Sequence, residues 1–543
     1  MNDSTDAGWN FADLWETIAT GIPDALCQQQ GSRRVSWSEF NRRANGVARH
    51  LVDTDGAAEQ DKVAQYLYNC PEYLESVFAA FKAGMAVVNT NYRYAADELV
   101  YLWDNGDVTT VVFHGTFTDR IEAVRARVPG ITTWLWVDDG AGTCPDWATP
   151  YEEVASAGSD ENVSGTWGRS GDHLMLIYTG GTTGMPKGVM WRQDDVFGVL
   201  DANNKQRMPP EQDLDAAAER ITTAGPRNLP SAPLMHGTGF FNALSNLMIG
   251  GSITTMEGRS FDPIEFLDTV ETFDLNSTSI VGDAFAKPIL RALDAEPDRW
   301  DISSLRVIVS SGVMWSKETK DGLLRHNPRL ILVDALGSSE AIGMATNTTT
   351  AGARGETARF VLGPNTRVVT DPTDMEPSRD VIPGSDELGR VALRGRTPIG
   401  YYKDEEKSAQ TFVLIDGERY SIPGDYASVD VDGTVNLKGR GSQCINTGGE
   451  KVYPEEVEEC LKLHSSVRDA AVVGLPDEKW GQAINALVEL HPGNDLDPEA
   501  LRDHVKAHLA AYKAPKTITE IESVGRAANG KLDYAALTVL AAG

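Results

Sequence analysis

The sequence predicts an α/β fold, because short apolar segments typical of buried strands alternate with longer segments of helical periodicity. This alternation favours a parallel sheet whose faces are covered by the connecting helices. The chain has 543 residues, enough for several domains with large cores. Its composition, 41% hydrophobic and 24% charged, is that of an ordinary globular protein.

The predicted elements follow one another regularly along the chain. Residues 11–51 predict a helix, a hairpin and a second helix, which Ser38 is expected to cap. Pro71 opens a further helix that ends at Gly84, since proline suits a first helical turn and glycine a C-terminal cap. Residues 140–170 are rich in Gly, Ser, Asp and Glu and predict a surface connection. The predicted strands are 62–67, 85–88, 108–113, 132–137, 174–177, 305–309, 330–333, 467–473 and 484–490.

Charge and cysteine content exclude several kinds of partner. With 79 acidic and 49 basic residues the formal net charge is −30, so a nucleic-acid backbone would be repelled overall. The N-terminus is acidic where a signal peptide is basic, and no apolar run reaches membrane-spanning length. The cysteines form no CxxC pair and the histidines no cluster in sequence, which disfavours disulfides and structural zinc. We expect a cytoplasmic protein without a transmembrane segment. The cysteines are Cys27, Cys70, Cys144, Cys444 and Cys460.

The strand at 174–177 leads into a loop rich in glycine and threonine, YTGGTTGMPKGV at 178–189. Glycines let the backbone approach a ligand closely, so that its N–H groups can face phosphate oxygens. Threonine hydroxyls add donors, and Lys187 offsets negative charge. Because Pro186 precedes Lys187, the loop is not a Walker A motif. The residues expected to hold a polyphosphate here are Thr179, Gly180, Gly181, Thr182, Thr183 and Gly184.

Two further predicted strands end in polar turns. The strand at 305–309 ends in Ser310, Ser311 and Gly312, and the strand at 330–333 ends in DALGSSE, at 334–340. Ligands of α/β proteins bind where parallel strands end. Both turns are therefore expected to lie at a nucleotide site.

The loop at 178–189 resembles the phosphate-binding signature of the adenylate-forming enzymes, a superfamily that includes acyl-CoA synthetases, luciferases and peptide-synthetase adenylation domains. The resemblance covers nearly the whole chain. Segment 189–194, VMWRQD, looks like actinobacterial fatty-acid and steroid side-chain CoA ligases. The other matching segments are 69–84, 88–94, 233–241, 310–314, 334–340, 420–425, 437–451 and 525–532.

The resemblance implies a site for ATP and Mg²⁺ with Lys531, Glu340, Lys187 and His236 as catalytic residues. Glu340 would hold the Mg²⁺, His236 would border the carboxylate pocket, and Lys531 would reach the carboxylate and the α-phosphate during adenylation. Leu336 replaces an adenine-stacking tyrosine of many relatives, so adenine would pack on aliphatic surface. The implied nucleotide-binding residues beyond the phosphate loop are Ser311, Gly312, Leu336, Gly337, Ser338, Ser339, Asp425 and Arg440, with Gly448, Gly449 and Lys451 on the pantetheine tunnel.

The resemblance also implies the domain organisation. A large N-terminal α/β domain of several subdomains, residues 1–439, would bind ATP and the acyl group. A small mobile α+β domain, residues 440–543, would act as a lid. The hinge between them would lie near Ser442, where relatives usually carry Asp or Lys.

The implied activity is an ATP-dependent acid–CoA ligase with ATP, Mg²⁺ and coenzyme A as cofactor and co-substrates. The acid is expected to be bulky and hydrophobic, either a long-chain fatty acid or a steroid side-chain acid. Three alternatives stay open: an acyl-AMP ligase that loads a carrier protein, a luciferase-like monooxygenase, and a catalytically inactive nucleotide-binding protein. A homodimer also stays open as the assembly.

Overall fold

The computed structural model describes residues 8–179, 185–202, 204, 207–209, 212–312, 315–352, 359–372, 377–385, 387–440, 445–448, 450–452, 454–525, 532 and 534–543. The helices in this part of the chain are α1 (Phe11–Gly21), α2 (Trp37–Asp53), α3 (Pro71–Lys82), α4 (Ala96–Asn105), α5 (Thr118–Val124), α6 (Tyr151–Ser156), α7 (Gln193–Asp201), α8 (Leu214–Arg220), α9 (Gly237–Leu247), α10 (Pro263–Thr272), α11 (Gly282–Ala295), α12 (Lys317–His326), α13 (Glu405–Thr411), α14 (Pro454–Lys462), α15 (Pro498–His508) and α16 (Tyr534–Ala542).

Strands occur along the whole described chain. Those of its first half are β1 (Leu26–Gln30), β2 (Arg33–Ser36), β3 (Lys62–Tyr66), β4 (Ala86–Asn89), β5 (Val108–His114), β6 (Thr133–Val137), β7 (Thr149–Pro150), β8 (Leu174–Thr179), β9 (Lys187–Arg192), β10 (Arg227–Pro230), β11 (Ser252–Thr255) and β12 (Ser277–Ile280). Those of its second half are β13 (Val307–Ser311), β14 (Ile331–Ser338), β15 (Ala341–Thr349), β16 (Arg359–Leu362), β17 (Thr366–Val369), β18 (Gly389–Arg394), β19 (Gly400–Tyr401), β20 (Phe412–Ile415), β21 (Glu418–Ser421), β22 (Asp425–Val429), β23 (Val435–Arg440), β24 (Ile445–Thr447), β25 (Glu450–Val452), β26 (Val467–Asp477), β27 (Gly481–Leu490) and β28 (Thr517–Glu520).

The strands form three sheets within the described residues. The first has the order β19-β9-β8-β4-β3-β5-β6-β7, and its strands from β8 to β7 run parallel. The second begins β2-β1-β11-β10-β12-β13-β14, is parallel from β1 to β14, and continues through antiparallel strands to β20. The third contains only strands that follow residue 440, in the order β25-β24-β27-β26 with β28 beside β27. The fold is therefore a large N-terminal α/β part and a smaller C-terminal α+β part, as predicted.

Aromatic packing holds the first helices against the parallel sheet. Trp15 of α1, Phe40 of α2 and Phe78 of α3 are fully buried, and their ring centroids lie 5.0–6.0 Å apart. Trp37 is also fully buried, and α2 begins at this residue. The prediction that Ser38 caps α2 is consequently wrong. Ser36 is the cap, and its hydroxyl accepts a hydrogen bond from the Glu39 backbone N–H at 3.2 Å.

Two loop predictions also need correction. The stretch 140–170 was expected to be a surface connection, but it contains β7 and α6, whose Tyr151 is buried in the core. The segment between the predicted strands at 467–473 and 484–490 is mostly strand, because residues 474–477 of β26 pair with residues 481–484 of β27 and only 478–480 form a turn. In both places tertiary pairing extends regular structure into residues whose composition favours loops. No helix in the described ranges has the length and hydropathy to cross a membrane.

Candidate nucleotide and acyl site

The glycine-rich loop leaves the end of β8 as predicted. β8 and β9 are antiparallel neighbours, and Thr179 pairs with Lys187, so the two residues bracket the loop at one end of the sheet. The Lys187 ammonium forms an ion pair with Asp404 and lies 5.9 Å from the centre of the Tyr401 ring. A triphosphate at this loop would compete with Asp404 for the ammonium.

Glu340 is held in position by the hydroxyl of the same Tyr401. Its side chain is buried, and its Oε1 accepts a hydrogen bond from the Tyr401 hydroxyl at 2.9 Å. The Ser421 hydroxyl donates to the Glu340 backbone oxygen at 2.7 Å. Tyr401 therefore contacts both Lys187 and Glu340 and joins the start of β9 to the turn after β14. Sequence reasoning had assigned no role to Tyr401, which lies outside the matching segments, or to Ser421, which lies within segment 420–425.

The turn after β14 is shorter than expected. The strand was predicted to end at residue 333, but β14 continues to Ser338 because β15 pairs with it from residue 341 onward. Leu336, Gly337 and Ser338 are thus strand residues, and only Ser339 and Glu340 form the turn. Leu336 is buried beside Met344 and Ala345 in an aliphatic cluster.

The segment before α9 lies next to the turn after β14. His236 immediately precedes α9, and the Cβ that Gly237 lacks would lie 3.9 Å from the Ser339 hydroxyl. The Asn89 amide ties this segment to the end of β8, because it donates to the backbone oxygens of Tyr178 at 3.0 Å and Met235 at 2.6 Å. Asn89, at the end of β4, was part of a matching segment but had no predicted role.

Ser339, in the turn after β14, is also held by a hydrogen bond from β9. The indole N–H of Trp191 donates to the Ser339 backbone oxygen at 2.7 Å, and Trp191 itself is fully buried. The parallel pairing of β13 with β14 places Ser311 beside Ala335, so the first polar turn adjoins the second. Gly312 has φ +92°, a conformation that favours glycine. The structure thus brings both predicted turns together.

The expected ribose residues lie opposite each other. Asp425 begins β22 and pairs with Arg440 at the end of β23. The Asp425 side chain is buried, and the preceding Gly424 has φ +101°. The backbone register brings the two residues to the same point, while the Arg440 side chain lies outside the described atoms.

Part of the predicted site lies outside the described residues. In the 448–451 motif, Gly448 has φ +59°. A Cβ at this residue would lie 2.8 Å from the Trp480 ring. Lys451 is described only by its backbone, which pairs with Asn446. The predicted residues that are not described are Gly180, Gly181, Thr182, Thr183, Gly184, Gly449, Lys531 and the hinge residue Ser442.

Glu450 connects the C-terminal part to the site. Sequence reasoning missed this connection. Its carboxylate lies 3.0 Å from the Arg93 guanidinium and 3.4 Å from His236 Nε2, and both partners belong to the N-terminal part. Burial alone would raise the pKa of Glu450, but the positive field of His236, Arg93 and Lys513 lowers it below the ordinary value. The carboxylate is therefore ionised at neutral pH. The hairpin of β24 and β25 is docked beside His236.

Lys513 forms a second connection between the two parts. Its side chain is 2% exposed, and its ammonium donates to Glu98 of α4 and Glu456 of α14 at 2.7 Å each. Burial lowers the pKa of Lys513, but the two carboxylates outweigh that effect and raise it well above the ordinary value. A charged, fully paired lysine thus joins α4 to α14. No motif had singled it out.

Comparison with known proteins places the chain in a family. Residues 15–402 match the family model of the AMP-binding enzyme, and residues 456–531 match that of the AMP-binding enzyme C-terminal domain. The chain is 38% identical to a medium/long-chain-fatty-acid–CoA/3-oxocholest-4-en-26-oate–CoA ligase of Mycobacterium tuberculosis, over 97% of this chain and 95% of that protein. It is 36% identical to the 3-oxocholest-4-en-26-oate–CoA ligase of Rhodococcus rhodochrous, over 97% and 94%.

Solved structures agree in fold. The amide bond synthetase of Marinactinospora thermotolerans superimposes with a TM-score of 0.77 at 24% identity, over 98% of this chain and 99% of that chain. The o-succinylbenzoate CoA synthetase of Bacillus subtilis superimposes with a TM-score of 0.74 at 20% identity, over 97% of both chains. With the family models matching both parts of the chain, this protein belongs to the AMP-binding enzyme family.

Proposed function

We propose that this protein is an AMP-forming acid–CoA ligase. In the first step a carboxylate oxygen attacks the α-phosphorus of ATP, and pyrophosphate leaves as acyl-AMP forms. In the second step the CoA thiol attacks the acyl carbon, and AMP leaves. The observation that carries the proposal is that Tyr401 contacts both Lys187 and Glu340, while Gly237, next to His236, approaches Ser339 beside Glu340. Full-length similarity to CoA ligases supports the same chemistry.

Charge neutralisation is the task of the proposed catalytic residues. Negative charge develops on the phosphates during adenylation, and prepositioned cations lower the energy of that transition state. Lys187 would neutralise charge on the phosphates bound by Thr179 and the loop that follows it. Lys531 would neutralise charge on the attacking carboxylate and the α-phosphate.

The residues present suit a magnesium ion on Glu340. Mg²⁺ in nucleotide sites takes one or two carboxylates together with phosphate oxygens. Tyr401 donates to Oε1 of Glu340, which orients the carboxylate and leaves its second oxygen as an acceptor. A bound Mg²⁺ would supply further neutralisation of phosphate charge.

The proposed contacts to the nucleoside and to CoA are inferred from where the residues lie in the fold. Asp425 and Arg440 would bind the ribose, since one carboxylate can accept hydrogen bonds from both of its hydroxyls. Adenine would lie against Gly312 and the end of β14, with Ser311, Leu336, Gly337, Ser338 and Ser339 around it. Gly448, Gly449 and Lys451 would line the path of the CoA pantetheine, because the adjacent Glu450 is docked beside His236.

We further propose two domains, 1–439 and 440–543, with a hinge near Ser442. Support comes from the sheets: β23 belongs to the second sheet, whereas β24 begins the third. Rotation at this point would exchange Lys531 for the 448–451 segment between the two steps. Hinge rotation needs only a few residues that tolerate a change in φ and ψ.

The acid is proposed to be hydrophobic, a medium- to long-chain fatty acid or a steroid side-chain acid. The names of the relatives from Mycobacterium tuberculosis and Rhodococcus rhodochrous support both classes. No sequence feature separates the two.

The test is AMP release from ATP and Mg²⁺ with a panel of acids, each with and without CoA. The panel runs from acetate through long-chain fatty acids to steroid side-chain acids. We expect AMP release that requires both CoA and a hydrophobic acid, and a Glu340→Gln variant that lacks it. Acyl-AMP that accumulates regardless of CoA would contradict the proposal in favour of carrier-protein loading. Absence of turnover with every acid would contradict it in favour of an inactive nucleotide-binding protein.

A further inference from the structure

A cluster of metal-binding side chains lies in the C-terminal part, away from the proposed catalytic residues. Cys460 of α14 and His504 and His508 of α15 each offer a ligand atom, and these atoms lie within 4.8 Å of one another. Cys460 is buried, and both histidines are partly buried. Cys460 precedes the two histidines by 44 and 48 positions, so the sequence does not show that the three residues meet.

The two helices bring these residues together through their apolar faces. Val457 and Leu461 of α14 pack in one core with Leu501 and Val505 of α15. His504 and His508 border that face at a spacing of four residues, which places both rings on one side of the helix. Two histidines with this spacing are a common zinc-binding arrangement on helices.

Hydrogen bonds orient both rings as in metal sites. One nitrogen of His504, Nε2, is 3.0 Å from the Cys460 backbone oxygen, and Nδ1 of His508 is 2.8 Å from the His504 backbone oxygen. A carbonyl oxygen only accepts, so each of these nitrogens carries the proton. The other nitrogen of each neutral ring then has a free lone pair. Metal-binding histidines are usually held this way, by one N–H donated to a carbonyl or carboxylate.

We propose that Cys460, His504 and His508 form a Zn²⁺ site that braces α14 against α15. Thiolate and imidazole are the ligands zinc prefers, and a tetrahedral site separates its ligand atoms by about 3.3–3.6 Å. Side-chain rotations that bring Nδ1 of His504 and Nε2 of His508 towards the Cys460 sulfur would close the cluster to that spacing. A water molecule would complete the coordination. His464, whose ring centre is 5.2 Å from that of His504, is held by Ser466 and is not included among the ligands.

The test uses the full chain without a histidine tag, stripped of metal with a chelator. Zn²⁺ is titrated in competition with a chromophoric chelator, and Co²⁺ is added separately as a spectroscopic probe. We expect about one tight site per chain and a cobalt–thiolate charge-transfer band in the near ultraviolet. His504→Gln, His508→Gln and Cys460→Ala should each weaken Zn²⁺ binding at least about 100-fold, beyond the effect typical of a supporting residue.

The matched control is His491→Gln, because His491 is exposed in the same part of the chain and lies outside the cluster. It should bind Zn²⁺ as the unchanged protein does. Equal weakening in this control would indicate scattered surface histidines and would overturn the proposal. Absence of the thiolate band in the unchanged protein would also overturn it, and this measurement does not depend on any variant folding correctly.

Discussion

At the scale of single residues, Tyr401 is the connection that organises the proposed site. Its hydroxyl donates to Glu340, and its ring lies beside the Lys187 ammonium. A carboxylate that binds a metal is commonly positioned by such a second hydrogen bond. Tyr401 is therefore a positioning residue for Glu340.

We predict that Tyr401→Phe lowers kcat/KM for adenylation about 10- to 100-fold, because a hydrogen bond to a charged group contributes about 1.5–3 kcal/mol. The measurement is pyrophosphate release at varied Mg²⁺ concentration, and the variant should require more Mg²⁺ for half-maximal rate. Tyr402→Phe is the control, since the Tyr402 hydroxyl donates to Asp107 at the surface. Unchanged Mg²⁺ dependence in Tyr401→Phe would contradict the positioning role.

His114 gives a prediction about acid stability. Burial lowers the pKa of His114 to about 4, and its Nδ1 accepts a hydrogen bond from the Tyr68 backbone N–H at 3.1 Å. Between pH 6.5 and 4 the unfolded chain binds this proton and the folded chain does not. The contribution of the neutral His114 to the free energy of unfolding is therefore present in full above pH 6.5. It is lost, by roughly 3 kcal/mol, as the pH falls from 6.5 to 4.

We predict that His114→Asn is less sensitive to acid than the unchanged protein over this range. The asparagine oxygen can keep the hydrogen bond to Tyr68 but does not titrate. Urea unfolding at pH 7 and pH 4.5 measures the difference, and His491→Asn, at an exposed position, should behave like the unchanged protein. An identical loss of stability in His114→Asn and the unchanged protein would show that His114 does not titrate as proposed.

At the scale of elements, helices α4 and α14 are joined by one buried lysine. Lys513 lies in the turn Ala511–Lys513 after α15 and pairs with Glu98 and Glu456. Such a network is stable only while each charge has its partner, because an unpaired buried carboxylate costs several kcal/mol. The junction of the two parts should therefore depend strongly on this residue.

We predict that Lys513→Met weakens the docking of the C-terminal part by about 3–5 kcal/mol. Limited proteolysis should then release a C-terminal fragment, and thioester formation from supplied acyl-AMP should slow. Lys506→Met is the control, because Lys506 pairs with Asp503 on the exposed surface. Adding Glu98→Gln and Glu456→Gln to Lys513→Met should restore docking, since the negative charges that Lys513 balanced are then removed as well. A triple variant as labile as the single one would exclude the charge argument.

At the scale of the whole molecule, the proposed function gives one site two successive uses, one by the docked hairpin of β24 and β25 and one by Lys531. The structure has Glu450 beside His236 and Arg93, so the 448–451 segment is next to the proposed acyl pocket. Adenylation would require Lys531 at the same place. The two steps would then need two positions of the C-terminal part.

We predict that Lys531→Ala abolishes acyl-AMP formation, by at least about 100-fold, and spares thioester formation from supplied acyl-AMP. The reason is that the lysine would stabilise charge only in the first step. The two half-reactions are measured separately, with Lys516→Ala as a control for loss of a C-terminal lysine. Loss of both half-reactions in a folded Lys531→Ala variant would refute this division of roles.

The sequence by itself determined the α/β class and the position of the glycine-rich loop, because both depend on local patterns. Alternating apolar runs favour covered parallel strands, and the glycine-rich segment 178–189 begins at the end of β8 as expected. Strand order could be anticipated only at β13 and β14, where two polar turns followed strands and proved adjacent.

Tertiary structure decided the rest, because it pairs residues that are distant in sequence. Tyr401 meets Glu340 across 61 positions, Lys513 meets Glu98 across 415, and Cys460 faces His504 across 44. Strand pairing likewise carried β14 past its predicted end, since β15 supplied partners for its backbone groups. Local pattern specifies which residues can form an element, whereas packing decides which of their side chains meet and therefore which charges are buried and paired.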